Sequence, residues 1–411
     1  MDESLKGVRV LDLTSYLSGP FATWTLAGLG AEVWKIERKD GGDPARTFPP
    51  FVGPKGNALR ELTSEADESI AILKRNRGKK SLSLNLDTEE GKAIFLKLAE
   101  HADVVIENIA PGVMEKWGLS NEMLMSVNPR LVICSISGYG RSGPRSHLPA
   151  FDPIVQASAL TMAVNGEADG APMRTGISFG DTVPALYAVI GILAALRERD
   201  VTGKGSTVDI AMHDALVAML MIEPVEAQIE WGSPLRTGSS IPRLTPCNVY
   251  RSKDGYVALN AAPPRLWKRM ARLIGKAEAM DPQLLPLARR LERYDWIDQI
   301  VANWVAERNM SDVLALTSDA GVPCARVIET LEELVQDPAN IAKGLLEPLV
   351  HPELGVIEGV YAPSVPIVAS GEKNSSLSRA PKLGEHTREI LQQELGLTEK
   401  DIAALQAKNV V

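Results

Sequence analysis

Cysteine is scarce in this chain: Cys134, Cys247 and Cys324 are the only three among 411 residues. Widely spaced and odd in number, they exclude a disulfide framework and any Cys-x-x-Cys metal site, and they fit a reducing, cytoplasmic setting. Histidine is nearly as sparse, with His101, His147, His213, His351 and His386. No two stand at metal-ligand spacing, so the sequence supports no metal centre. Positive charge is also short. Lys and Arg number 44 against 52 Asp and Glu, a net charge of -8, which leaves no electrostatic footprint for nucleic acid. Long apolar runs are missing too. The most apolar stretch, residues 183–196, is too short to span a bilayer comfortably and reads as a buried helix, and Met1-Asp2-Glu3-Ser4-Leu5-Lys6 contains no apolar signal core. No membrane association is expected.

What is present is the composition of a globular protein, 45% hydrophobic and 23% charged, in a chain long enough for two domains. The first half alternates β-branched runs with helical patterns, the signature of parallel βαβ units in a doubly wound sheet. Strands are predicted at 8–13, 32–36, 81–86, 104–107, 131–135 and 207–211, with helices at 20–29, 88–101, after Asp181 and at 213–221. Gly232, Pro234, Gly238, Ser239, Ser240, Pro242 and Pro246 then break the periodicity and mark a linker over 225–247. A hairpin around Lys253-Asp254-Gly255 follows, and then helices near 266–274, 296–308 and 311–319, as in a smaller α+β domain. Near the end, Thr398-Glu399-Lys400-Asp401 carries the chemistry of a capping box.

The residue that draws attention is Asp181, between a glycine and an apolar helix in Ile177-Ser178-Phe179-Gly180-Asp181-Thr182-Val183-Pro184. An N-cap position there would hold the carboxylate ionised against the positive helix end and present it as a nucleophile. Asp is also a common helix cap with no further role, and the stretch alone leaves both readings open. The basic run Lys74-Arg75-Asn76-Arg77-Gly78-Lys79-Lys80 suits a phosphorylated small ligand or, equally, a solvated loop. Two other patterns mislead. Gly138-Tyr139-Gly140-Arg141-Ser142-Gly143 fits a dinucleotide fingerprint, but Pro144 and Arg145 follow where a helix should open. Gly176-Ile177-Ser178-Phe179-Gly180 fits a nucleophile elbow of a serine hydrolase, yet 171–175 make a poor strand and no His-Gly-Gly-Gly oxyanion motif is present.

Taken in order, several segments resemble the class III CoA-transferases, the family of formyl-CoA transferase and the carnitine CoA-transferases. They are Gly7-Val8-Arg9-Val10-Leu11-Asp12-Leu13-Thr14, Leu29-Gly30-Ala31-Glu32-Val33-Trp34-Lys35-Ile36-Glu37, Asn76-Arg77-Gly78-Lys79-Lys80-Ser81, Asp103-Val104-Val105-Ile106-Glu107-Asn108, Ser137-Gly138-Tyr139-Gly140, Gly180-Asp181, Gly203-Lys204-Gly205 and Ala380-Pro381-Lys382-Leu383-Gly384-Glu385-His386-Thr387. The resemblance implies a large Rossmann-like domain from 1–224, the linker at 225–247, a small α+β domain over 248–330, and 331–411 returning to the large domain. It also implies an interlocked dimer, with an identical or a homologous subunit, and acyl-CoA and a carboxylic acid as substrates. Asp181 becomes the nucleophile. Arg38 and Lys79 fall where the family holds the nucleotide end of CoA, Lys116 where it has an arginine, and Asn108 and Tyr139 near pantetheine or the reacting centre.

Two departures shape the expected chemistry. Leu17 stands where formyl-CoA transferase has a glutamine, and leucine cannot donate to an oxyanion, so an apolar or larger acid is expected in place of formate or oxalate. Phe151 stands where the related α-methylacyl-CoA racemases have a histidine, and a phenyl ring exchanges no proton. Racemase and serine hydrolase remain the rival enzymes, and a non-catalytic CoA-binding subunit is the rival of another kind.

Overall fold

The computed structural model describes residues 4–368 and 376–411. It divides into two compact units, one built from Met1–Ala159, Gly176–Ala218 and Asp337–Val411, the other from Leu160–Thr175 and Met219–Gln336.

The larger unit is organised by a parallel sheet of β1 (Arg9–Asp12), β2 (Glu32–Glu37), β3 (Lys79–Ser83), β4 (Val104–Glu107), β5 (Val132–Ser137) and β6 (Thr207–Ala211). Their spatial order is β3-β2-β1-β4-β5-β6. Successive side chains on a strand face opposite sides. Val10, Val33, Val104 and Val132 therefore join one core, while Leu11, Trp34, Val105 and Ile133 join another. Helix α1 (Ser18–Gly28) and helix α2 (Phe179–Thr202) close the first face through Ala22, Leu26, Ala185, Ala188 and Ile192. The helix Glu89–Ala99 and the C-terminal helix Thr387–Leu395 close the second with Phe95, Leu98, Ile390 and Leu391. Each fully buried side chain of this size stabilises the fold by about 1.5–3 kcal/mol. The order reverses between β1 and β4, which opens a crevice at the carboxyl ends of those strands, where doubly wound sheets bind ligands.

Local signals explain the helix limits. Thr88 caps Glu89–Ala99 by accepting from the Gly91 amide at 3.0 Å. The expected capping box is realised: Thr398 Oγ1 accepts from the Asp401 amide at 3.3 Å, and Asp401 accepts from the Thr398 amide at 2.9 Å. Helix α2 runs well beyond the apolar stretch, because Arg199 donates to Asp103 at 2.7 Å and Gly203 ends it in the left-handed conformation at φ 75°. It is long and apolar enough to cross a membrane by length and composition, but half of that apolar window is buried inside the protein.

The smaller unit holds an antiparallel sheet of Cys247–Arg251, Tyr256–Asn260 and Cys324–Arg326, covered by the helices Pro264–Ile274, Tyr294–Ala306 and Met310–Ala320. Trp267, Met270, Val301, Trp304 and Val313 fill its core. At the hairpin, Asp254 accepts from the Met310 amide at 2.7 Å and so sets the start of the last helix. Within the expected linker of 225–247, Val225–Glu230 is a short helix. Leu160–Thr175 joins this unit through Arg236, which donates to the carbonyls of Ala163 at 3.1 Å and Glu167 at 3.3 Å.

Candidate active site

The crevice floor is a buried charge network. Lys79 Nζ reaches Asp12 at 3.0 Å, Thr23 at 2.7 Å, Asn76 at 2.9 Å and the Pro20 carbonyl at 3.1 Å. Lys35 Nζ donates to the Thr14 carbonyl at 2.7 Å and pairs with Asp43 at 3.0 Å. Burial alone would raise Asp12, but Lys79 and Lys35 hold it below the usual carboxylate range. Burial pushes Lys79 down to about 8 against the attraction of Asp12. The network fixes the loop after β1, whose Tyr16 amide donates to Asp43 at 3.1 Å and whose Tyr16 carbonyl accepts from Arg75 at 2.9 Å. Gly19 is needed there because a Cβ would sit 2.2 Å from Thr14.

Lys79 thus departs from its expected place at the nucleotide end of CoA. Its side chain is wholly buried and all its donors are engaged, so no phosphate meets it. The reason is strand alternation: Lys79 opens β3 facing inward toward Asp12, a partner 67 positions away in the chain.

Asp181 lies in the first turn of α2, while Ser178 is the N-cap and makes no side-chain cap bond. The expected N-cap aspartate is therefore corrected by three positions, and so is its expected charge. Burial first, and the Asp152 carboxylate second, push Asp181 up to about 7, with the Arg75 guanidinium opposing them. A helix N-terminus contributes only about 0.3–1 kcal/mol to an ionised carboxylate, less than the roughly 1.4 kcal/mol of a single pH unit, so burial wins. Asp152 itself is buried and accepts from the Gly180 amide at 2.7 Å and from Gln156 at 2.8 Å. A Cβ on residue 180 would meet Val155 at 2.7 Å, so only glycine lets the turn carrying Asp181 approach this neighbour. Sequence reasoning missed Asp152; its one local signal was an Asp-Pro helix start at Asp152-Pro153.

Two cavities meet along the crevice. One, of about 460 Å³, is lined by Tyr16, Ser18, Asn108, His147, Phe151 and Asp181 among others. The second, of about 340 Å³, includes Thr14, Arg38, Asn85, Asn108, Val113 and Trp117 in its wall. Tyr16, Asn108, Ile109 and Ala110 belong to both. Volumes of about 300–1,000 Å³ are usual for small-molecule sites. Asn108 stands at the join, fixed by reciprocal bonds of 2.8 Å with the Ser15 amide and carbonyl. Arg38 is exposed at the far end. Lys116 is exposed on the short helix Val113–Lys116 and lines neither cavity.

Tyr139 is the second correction among the expected pocket residues. It lines a separate hollow beside Asp209 and Asp214, with Arg145 5.0 Å above its ring and His213 against it at 5.7 Å. Gly138 remains in the wall of the Asp181 cavity, but the turn at Gly140 carries Tyr139 away from it. Phe151 lines that cavity instead, 59% exposed and packed edge-on to Tyr16 at 5.7 Å. Arg141, within the glycine-rich run, is committed to Glu107 at 2.6 Å and Glu115 at 2.8 Å. No strand precedes Ser178 over 171–175, so the hydrolase elbow is not formed.

Known proteins resemble this chain over nearly its whole length. The model of CoA-transferase family III matches residues 5–387. Succinyl-CoA--D-citramalate CoA-transferase of Chloroflexus aurantiacus is 35% identical over 409 residues, spanning 99% of this chain and 98% of that protein. Succinate--glutarate CoA-transferase of Agrobacterium fabrum is 34% identical, over 94% of each chain. Among solved structures, a CAIB/BAIF family protein from Brucella suis superposes with a TM-score of 0.78 at 31% identity, covering 95% of this chain and 99% of that one.

Proposed function

This chain belongs to CoA-transferase family III, and from that premise we propose that it carries CoA from a succinyl-CoA-like donor to a short dicarboxylic acid through a covalent Asp181 intermediate. The observation that supports this most is the pair of cavities sharing Asn108 at the reversal of strand order, one walled by exposed Arg38 and the other by half-buried Asp181. Arg38 suits the phosphates of CoA, the join at Asn108 suits pantetheine, and the thioester then meets Asp181.

The chemistry requires a carboxylate nucleophile and a dry pocket. An oxygen of ionised Asp181 bonds to the thioester carbon, the C–S bond breaks, and CoA leaves as a thiolate from an acyl-aspartyl anhydride. The thiolate then bonds to the aspartyl carbonyl carbon and expels the donor acid as a carboxylate. The acceptor carboxylate attacks the resulting aspartyl-CoA thioester, CoA leaves again, and its attack on the acceptor acyl carbon returns Asp181 as a carboxylate. One thioester replaces another, so no ATP is consumed. The protein is proposed to act as an interlocked dimer, identical or with a homologous subunit, and its three free thiols suit the reducing cytoplasm.

One observation favours proton chemistry instead: His147 shares the cavity with Asp181. Its imidazole is exposed, and Phe151, at the position of the racemase histidine, exchanges no proton. Incubating the protein in heavy water with succinyl-CoA, a chiral 2-methylacyl-CoA and a panel of dicarboxylic acids separates the readings. Mass spectrometry should show new acyl-CoA thioesters without deuterium at the α-carbon. Deuterium uptake with no exchange of thioesters would replace transferase by racemase.

A further inference from the structure

Leu17 itself offers no side-chain donor for the oxyanion that forms as Asp181 attacks. Two hydroxyls in the wall of the same cavity are free to supply one. Ser18, the first residue of α1, is 3% exposed, and its Oγ is buried without a hydrogen-bond partner. Ser137, the last residue of β5, also carries a buried, unpartnered Oγ. Both line the cavity that holds Asp181. Orphaned buried hydroxyls are uncommon, because such a group forfeits its bonds to water and receives nothing in exchange. Two in one cavity wall, at the carboxyl ends of the strands, call for a ligand oxygen.

We propose that Ser18 and Ser137 are the donors that take up the oxyanion of the tetrahedral intermediate at Asp181; this rests on the transferase reading above. As Asp181 bonds to the thioester carbon, the carbonyl π pair moves onto oxygen, and that oxygen accepts from the hydroxyls until the pair returns and expels CoA thiolate. Each oxygen is itself shielded from solvent, so the serine presents its hydroxyl to the cavity by turning about Cα–Cβ, which breaks no existing hydrogen bond. The amide end of α1 adds to the same field. Its first N–H groups have no partner inside the helix, and α1 begins at Ser18. Shielded from water, such donors act strongly on developing charge.

Ser18→Ala, Ser137→Ala and the double variant test this on the full-length protein, with three readouts: kcat and KM for succinyl-CoA, the rate of aspartyl-CoA formation in a single turnover, and the midpoint of thermal unfolding. Each single change should lower kcat and the single-turnover rate by roughly 10²-fold or more, with KM nearly unchanged. The melting midpoint should stay or rise, since only an unpaired buried hydroxyl is removed. Ser18→Cys, a weaker donor of similar size, should fall between wild type and Ser18→Ala. A double variant within threefold of wild-type kcat, or a loss of activity matched by a lower melting midpoint, would overturn the assignment. Absence of transfer by the wild-type protein would instead refute the transferase reading itself.

Discussion

Asp181→Asn should lower CoA transfer by about four orders of magnitude or more, because an amide cannot form the anhydride and no neighbouring group replaces a nucleophile. CoA binding should persist, since Arg38 lies along the other cavity and Asn108 at the join of the two. The variant should also be at least as stable as wild type at pH 8. The sign follows from the raised value of Asp181, about 7 against 3.8 for the free group. Below about pH 4 both folded and unfolded chains hold the proton and nothing distinguishes them. Between there and pH 7 the unfolded chain releases it first, so wild-type stability falls as pH rises, and above pH 7 the whole cost is present. Asparagine carries no such cost, and melting curves of both proteins from pH 4 to pH 8 should diverge in its favour. In wild type the same group sets activity: kcat/KM for acyl-CoA should climb with pH and level off above about 7 as the carboxylate ionises.

The second large effect separates two lysine and arginine positions that look alike in sequence. Lys79→Ala should destabilise the larger unit by about 3–5 kcal/mol, since it strips a fully buried carboxylate, Asp12, of its closest cation. Arg38→Ala should leave unfolding untouched and raise KM for every acyl-CoA with kcat little changed, because its proposed contact is with a part of the ligand far from the reacting carbonyl. Urea titration and steady-state kinetics on both variants read the contrast. A normally stable Lys79→Ala whose only defect is a raised KM would return Lys79 to the phosphates.

The fold was legible where periodicity is strong. Thr207–Ala211, Val104–Glu107 and Tyr256–Asn260 stand where their β-branched and apolar residues put them, and the Thr398 box needed only four adjacent residues. Asp181 was legible as a residue but not as a charge state. Its value depends on Asp152 and Arg75, which reach it from other elements and leave no trace beside it in sequence. Lys79 and Tyr139 were misplaced for the same reason. A basic run does not disclose which lysine alternates inward, and the turn at Gly140 that swings Tyr139 out of the cavity is a matter of backbone conformation. Ser18 and Ser137 are chemically unremarkable in sequence, and only the partners they lack single them out. The ties that draw Leu160–Thr175 into the smaller unit run to backbone carbonyls, which any residue supplies.

The account turns on a covalent bond at Asp181, and the most direct measurement is to trap it. The protein is mixed with succinyl-CoA, quenched with hydroxylamine, digested and read by peptide mass spectrometry. Hydroxamate on Asp181, dependent on the acyl-CoA and absent from Asp181→Asn, is the predicted result; an unmodified Asp181 during active turnover, or label on Ser178, would contradict it.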